Sequence, residues 1–512
     1  MLVTADLSRR DFLRTSALSI GGLTVLGLTG CGMTEQPDSG GGDAASLTAA
    51  FNRPIISLDP HGPTDVDEGT LLACRHIFDT LVRRDGERFA PNVARRWSQP
   101  DDSTWLFELR DDVVFHDGSP LTAKDVKASL ERVAASDTPQ AELWATLKDV
   151  TTDDTHSLRI TTDQPLGTML ANLTLLFVAP AGKLKEKGFF DKPIGSGPFR
   201  VDSYTASDHL DLSAAEKYWG SGTKLQKLKL PFIPENSTRL TSLKSGEVDV
   251  TWTIPPDQME GLQGSSDLEI TSVPSYLYYF NWFNCGRKPF TDKRVRQAMW
   301  HAVDVRKIVD SLFKDTAEVM KAPIPSTVFG YAEQQPYAYD PGKARQLLAD
   351  AGHEKGFSTS LMWPRNMSPE IRSLAESFNT YWKEIGVNVK LEELEQAAWL
   401  KRLLDLDWDM DLQTNGVTTG DADYTLGRLY TTNADRLGYS NKELDRILRS
   451  ARSSTDQKVR EGLYGRACAL LWDDAPGIYP VQLNSTYGLR RSVRGFEPAP
   501  DNQPLFTRVT KG

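Results

Sequence analysis

The chain has 512 residues and a formal net charge of −10. That balance argues against a nucleic-acid partner, because a polyanion rewards basic patches. Apolar residues make up 39% of the chain, ample for real cores, and the length predicts two or three domains.

The first distinctive segment is Ser8-Arg9-Arg10-Asp11-Phe12-Leu13, a twin-arginine export pattern. An apolar stretch from Ala17 to Leu28 follows, interrupted by Gly21, Gly22 and Gly27. It is too short for a bilayer, which needs about 20 apolar residues, and it reads as a signal peptide. It ends in Leu28-Thr29-Gly30-Cys31. This ending resembles a lipobox, which implies that Cys31 is lipidated and becomes the first mature residue. Acyl burial gains about 0.8 kcal/mol per CH2, so more than one chain anchors a protein stably. Residues 32–45 are rich in Gly, Ser and Asp and are expected to form a flexible tether. No later stretch is long and apolar enough to cross a membrane.

Three further cysteines, Cys74, Cys285 and Cys468, allow one disulfide at most; buried free thiols are the simpler expectation. No two have CxxC spacing, so a zinc site is not expected.

Helices and strands alternate along the chain without a fixed repeat. Thr122 with Asp125 predicts a capping box, followed by Val126, Leu130 and Val133 on one face. Asp340-Pro341 predicts a cap with proline at the first helical position. Ala344, Leu347, Leu348 and Ala351 then line the buried side, and Gly352 ends the helix. Ser368-Pro369 opens another helix. Its stripe of Ile371, Leu374, Ala375, Phe378, Trp382 and Ile385 stops at Gly386, and Val387, Val389 and Leu391 alternate as a strand should. The run Tyr276–Phe283 has high β propensity; its Tyr and Trp side chains suit either a core or a ligand cleft, since each joins an apolar body to a polar tip.

Common catalytic constellations are absent from the sequence. There is no G-x-S-x-G elbow, no H-E-x-x-H motif and no G-x-x-x-x-G-K-[ST] loop. Gly195-Ser196-Gly197-Pro198 is a tight turn rather than a dinucleotide fingerprint. The seven histidines are scattered with no i, i+4 pair. A secreted hydrolase would need a nucleophile or metal constellation that the chain does not offer, and no enzyme activity or cofactor is expected.

Several blocks occur in a telling order. They are Leu58-Asp59-Pro60-His61, Ile77-Phe78-Asp79-Thr80-Leu81-Val82, Pro91 to Trp97, Trp105 to Val126, Pro193 to Phe199, Glu216-Lys217-Tyr218-Trp219, Ser245 to Asp249 and Pro289 to Ala298. Together they resemble the oligopeptide, dipeptide and nickel group of solute-binding proteins that serve ABC importers, family 5. The resemblance covers essentially the whole mature chain. It implies an α/β, two-lobed periplasmic-binding-protein fold of class II type. An additional domain stands beside lobe one, with a hinge between the lobes. Carried onto this chain, it places lobe I at 46–75, 193–272 and 481–512, the additional domain at 76–192 and lobe II at 273–480. Most of the blocks are fold determinants; His116-Asp117-Gly118 is expected to be a turn, not a catalytic pair.

The same resemblance implies a monomeric receptor that captures a small-molecule or peptide ligand and hands it to ABC permease and ATPase subunits, held to the membrane by its lipid anchor. A short peptide is the leading ligand, paired along its backbone; nickel chelates, oligosaccharides and other polar solutes stay open. Peptide-binding members hold the ligand's α-amine with an acid in a Trp-small-small-Asp segment. Here that region reads Thr418-Thr419-Gly420-Asp421-Ala422-Asp423-Tyr424, so Asp421 and Asp423 are both candidates, although the Trp and a following Pro are missing. Arg365 falls where dipeptide-binding members place an arginine for the ligand carboxylate, and a guanidinium fork suits that group. Trp399 matches an aromatic cleft wall or is a core residue of its helix. Tyr278, Asn281 and Trp282 are further cleft candidates.

Overall fold

The computed structural model describes residues 45–512 apart from positions 87, 366 and 369. Arg9, Arg10 and Cys31 lie outside the described residues, as does all of the tether but its last residue.

Two long strands, Leu268–Phe283 and Gly477–Arg490, run antiparallel through the centre of one eleven-stranded mixed sheet. On one side of this pair lie Met410–Gly416, Phe357–Pro364 and Val387–Leu394, two of whose contacts are parallel. On the other side lie Val250–Trp252 and Ser46–Ala50, then the antiparallel strands Lys227–Pro231, His209–Ala214 and Phe199–Thr205. Each half buries its own apolar cluster, one built around Phe280, Trp363, Phe378 and Trp382 and the other around Phe51, Leu72, Trp252 and Phe506. The two central strands are therefore the shared spine of a two-lobed α/β protein.

The crossover in the first half follows directly from the sequence pattern. Helix Glu370–Glu384 buries Ile371, Leu374, Ala375, Phe378 and Trp382, and the strand Val387–Leu394 pairs with Phe357–Pro364 in parallel. Between them Gly386 adopts φ +83°, a conformation that favours glycine. A Cβ on the neighbouring Gly356 would sit 1.9 Å from the Gly386 carbonyl oxygen, so the close approach of these two turns demands glycine there. The caps form as well: Asp340 accepts from the Lys343 amide at 2.8 Å, and Asp125 accepts from the Thr122 amide at 2.8 Å.

A separate four-stranded antiparallel sheet, with strands in the order Ala94–Asp101, Thr104–Leu109, Ser157–Thr162 and Leu147–Asp154, packs against helix Ala123–Ala134 around its own core. The segment from Phe115 to Ser119 is a turn, with the Phe115 amide on the Ser119 carbonyl at 2.8 Å. His116 clips this unit to the Gly195–Gly197 turn. Its Nε2 lies 2.9 Å from the Gly197 carbonyl, and its Nδ1 accepts from the Gly195 amide at 3.2 Å. Both ring nitrogens are thus committed, and burial holds the imidazole pKa down. Cys74, Cys285 and Cys468 are free thiols. No described helix is long and apolar enough to cross a membrane.

Candidate functional site

The central strand pair carries an irregularity where the lobes meet. Pro274 pairs with Asn484 and Tyr278 with Gln482, so three residues oppose Leu483 alone. Such a bulge re-aims a side chain. The Ser275 hydroxyl stabilises it by accepting from the Leu277 amide at 3.0 Å and donating to the Leu483 carbonyl at 2.7 Å. The side chain it re-aims is Tyr276, which enters a cavity of about 690 Å³. That volume lies in the range of small-molecule sites.

Segments from distant parts of the chain build this cavity, among them the hairpin Val82–Pro91, Tyr218-Trp219, Asp501–Arg508 and the Thr418-Thr419 loop. Arg84 reaches across it and donates to the Thr419 carbonyl at 2.6 Å. Room for that reach exists because residue 420 is glycine. Gly420 has φ +63°, and a Cβ there would lie 3.2 Å from the Arg84 Cζ and 3.1 Å from the Tyr276 hydroxyl. Two other arginines in the wall are already neutralised, Arg75 by Asp501 and Arg508 by Glu497, each at 2.7 Å. Asp79 is buried in the wall with neutral donors, Trp219 Nε1 at 2.8 Å and the Tyr218 hydroxyl at 3.4 Å. Burial pushes its carboxyl pKa up to about 6, against the pull of those hydrogen bonds.

A second cavity of about 350 Å³ adjoins the first, and Thr419 lines both. It lies between the segments around Glu142 and Thr168–Asn172 on one side and Asp421–Arg452 on the other. Asp421 caps the short helix Asp423–Leu429 through the Asp423 amide at 3.0 Å. Its carboxylate is also gripped by Arg460, whose Nη2 lies 2.8 and 2.9 Å from the two oxygens. That guanidinium is itself buried, between the rings of Phe329 and Tyr464. Asp423 pairs with Arg452 at 2.9 Å and keeps 12% of its side chain accessible. Burial first, and the charge of Asp421 next, raise the Asp423 pKa, while Arg452 opposes the rise.

The remaining candidates from the sequence lie outside both cavities, the core position being one of the two readings open for Trp399 and for the Tyr276–Phe283 aromatics. Tyr278 and Trp282 are buried in the lobe core; Trp282 Nε1 donates to the Tyr430 hydroxyl at 2.9 Å. Asn281 is fully buried between them in sequence, its amide without a hydrogen bond. The strand continues past the bulge into the sheet, so these three belong to the core rather than to either cavity wall. Trp399 turns its polar tip inward, donating to Asp411 at 2.7 Å. Arg365 is exposed and ion-paired with Glu395. Among the described residues, no group of three or more His, Cys, Asp or Glu side chains is placed to hold a metal ion.

Sequence reasoning missed Arg84, Tyr276, Asp79, Arg428 and Arg436 as cavity residues. One signal was available for the first: Asp85-Gly86 between short strands is a hairpin signature, and it carries Arg83 and Arg84.

Comparison with known proteins bears on this architecture. The model of the bacterial extracellular solute-binding proteins, family 5, matches residues 88–436. The glutathione-binding protein GsiB of Pectobacterium atrosepticum is 27% identical over 487 residues, covering 90% of this chain and 92% of that protein. The probable D,D-dipeptide-binding periplasmic protein DdpA of Escherichia coli is 27% identical over 474 residues, with 88% and 91% covered. The solved periplasmic binding protein DppA of Helicobacter pylori, in complex with the peptide STSA, superposes with a TM-score of 0.78 at 26% identity, covering 91% of this chain and 98% of that one. The spine of two crossing strands, the cleft beside it and the family match agree: this chain belongs to the bacterial extracellular solute-binding proteins of family 5, which are transport receptors rather than enzymes.

Proposed function

We propose that this chain captures a short peptide or peptide-like solute in the cleft between its lobes and delivers it to the permease of an ABC importer. The observation that carries this reading is the cavity of about 690 Å³ at the bulge of the crossing strands, bridged by Arg84 onto the Thr419 carbonyl. A cleft of that form can close on its ligand by hinge motion. The similarity to proteins named for glutathione and D,D-dipeptides supports a peptide-like ligand. We assign the ligand's free amine to Asp423, the more accessible of the two acids, with Asp421 held beneath it by Arg460. Lobe II is taken as 273–480, so both boundaries fall within the crossing strands.

Mass spectrometry of ligand that copurifies with the protein tests the reading. A peptide or peptide conjugate is expected; a sugar or a metal chelate without a peptide would overturn the ligand class. The reading also includes a lipid anchor at Cys31 behind the Arg9-Arg10 export signal. Cys31→Ala is expected to release the receptor from the membrane fraction, and retention there counts against the anchor.

A further inference from the structure

Resting on the peptide-receptor reading above, we infer that the second cavity is an anion subsite in which Arg428 and Arg436 hold a carboxylate of the ligand, so that this receptor selects acidic peptides. Asp421 and Asp423 are each matched by an arginine of their own, Arg460 and Arg452. Arg428 and Arg436 then remain, and neither meets a carboxylate among the described residues. The opposite wall supplies one acid, the exposed Glu142 at the rim; its deeper polar residues, Thr168 and Asn172, are neutral.

The two arginines are also held in place. The Arg428 guanidinium lies 4.2 Å over the Tyr424 ring, and its Nε donates to the Tyr424 carbonyl at 3.2 Å. This fixes the plane of the fork and leaves both terminal amino groups for a ligand. Arg436 has a buried Nε with no hydrogen-bond partner, so its charge is partly desolvated without compensation inside the protein. An enclosed cation of this kind gains most from an anion that arrives with the ligand. A planar fork also matches a carboxylate better than it matches a neutral amide. Because Thr419 lines both cavities, a peptide in the larger one can place an acidic side chain in the smaller, whose volume of about 350 Å³ suits one residue.

Calorimetric titration with three tripeptides tests the subsite: Asp-Ala-Ala, Asn-Ala-Ala and Ala-Ala-Ala. The carboxylate peptide should bind about tenfold or more tighter than its amide counterpart. In the double variant Arg428→Gln/Arg436→Gln that preference should vanish, with the melting curve confirming a folded protein. Equal affinity for the Asp and Asn peptides in the unaltered protein overturns the subsite and leaves the peptide receptor standing; so does a preference that survives the double variant. If none of the three binds, the peptide reading falls and the subsite falls with it.

Discussion

Asp421 and Arg460 show what a buried charge does to its surroundings. Both side chains are all but inaccessible, at 2% and 3%, and the pair ties the loop before residue 423 to the helix Gln457–Asp474. Removing one partner strands the other charge in the core, which costs about 3–5 kcal/mol. Asp421→Asn is therefore expected to lower unfolding stability by about that amount in denaturant titrations; a loss below about 1 kcal/mol would mean that solvent reaches the Arg460 guanidinium. Asp411 is the opposite case. It is fully buried with Trp399 and Gln413 as neutral donors, and burial pushes its pKa up to about 7. A carboxyl whose folded pKa exceeds its unfolded value binds the proton more tightly when folded, so stability falls as pH rises between the two. The unfolded value is about 3.9. Relative to the unaltered protein, Asp411→Asn should gain stability steadily from about pH 4 to about pH 7 and no further above it. A pH-independent difference would show that Asp411 does not titrate in this range.

The decisive elements are the two crossing strands and their bulge. Gln482 sits across from it, 3% exposed, donating to the Ser275 carbonyl at 2.8 Å and accepting from the Ser326 amide at 2.9 Å. Gln482→Leu would remove both bonds, leaving the Ser275 carbonyl with the Thr327 hydroxyl alone and the Ser326 amide to water, a cost of about 0.5–1.5 kcal/mol for each hydrogen bond lost. A lower melting temperature is expected, together with weaker ligand binding because Tyr276 loses its fixed position. Unchanged binding would separate the bulge from the cleft. The helix Glu370–Glu384 and its following strand could be read from spacing alone, because 3.6-residue and two-residue periods are local properties. Tyr276–Phe283 was equally readable as a strand. Which of its aromatics faces the cleft was not, since the bulge is set by register against Leu483, some 200 residues away.

At the scale of the molecule, Arg84 spans the cavity at the bulge. Its hydrogen bond to the Thr419 carbonyl joins the hairpin Val82–Pro91 to the Thr418-Thr419 loop. Arg84→Ala should leave the lobes intact but speed ligand release by about tenfold, as loss of one charged hydrogen bond implies. Stopped-flow displacement measures this; an unchanged off-rate would place closure elsewhere.

The family resemblance, the α/β class, the caps and turns and the acidic segment at 421–423 are legible in the chain alone, because these rest on residue types at short spacings. Which charges are free to meet a ligand depends instead on the folded arrangement. Arg460 grips Asp421, Glu395 matches Arg365, and Arg428 and Arg436 meet no carboxylate among the described residues. Ion pairing depends on distances across the fold, and a linear pattern of charges carries no record of which of them have cancelled.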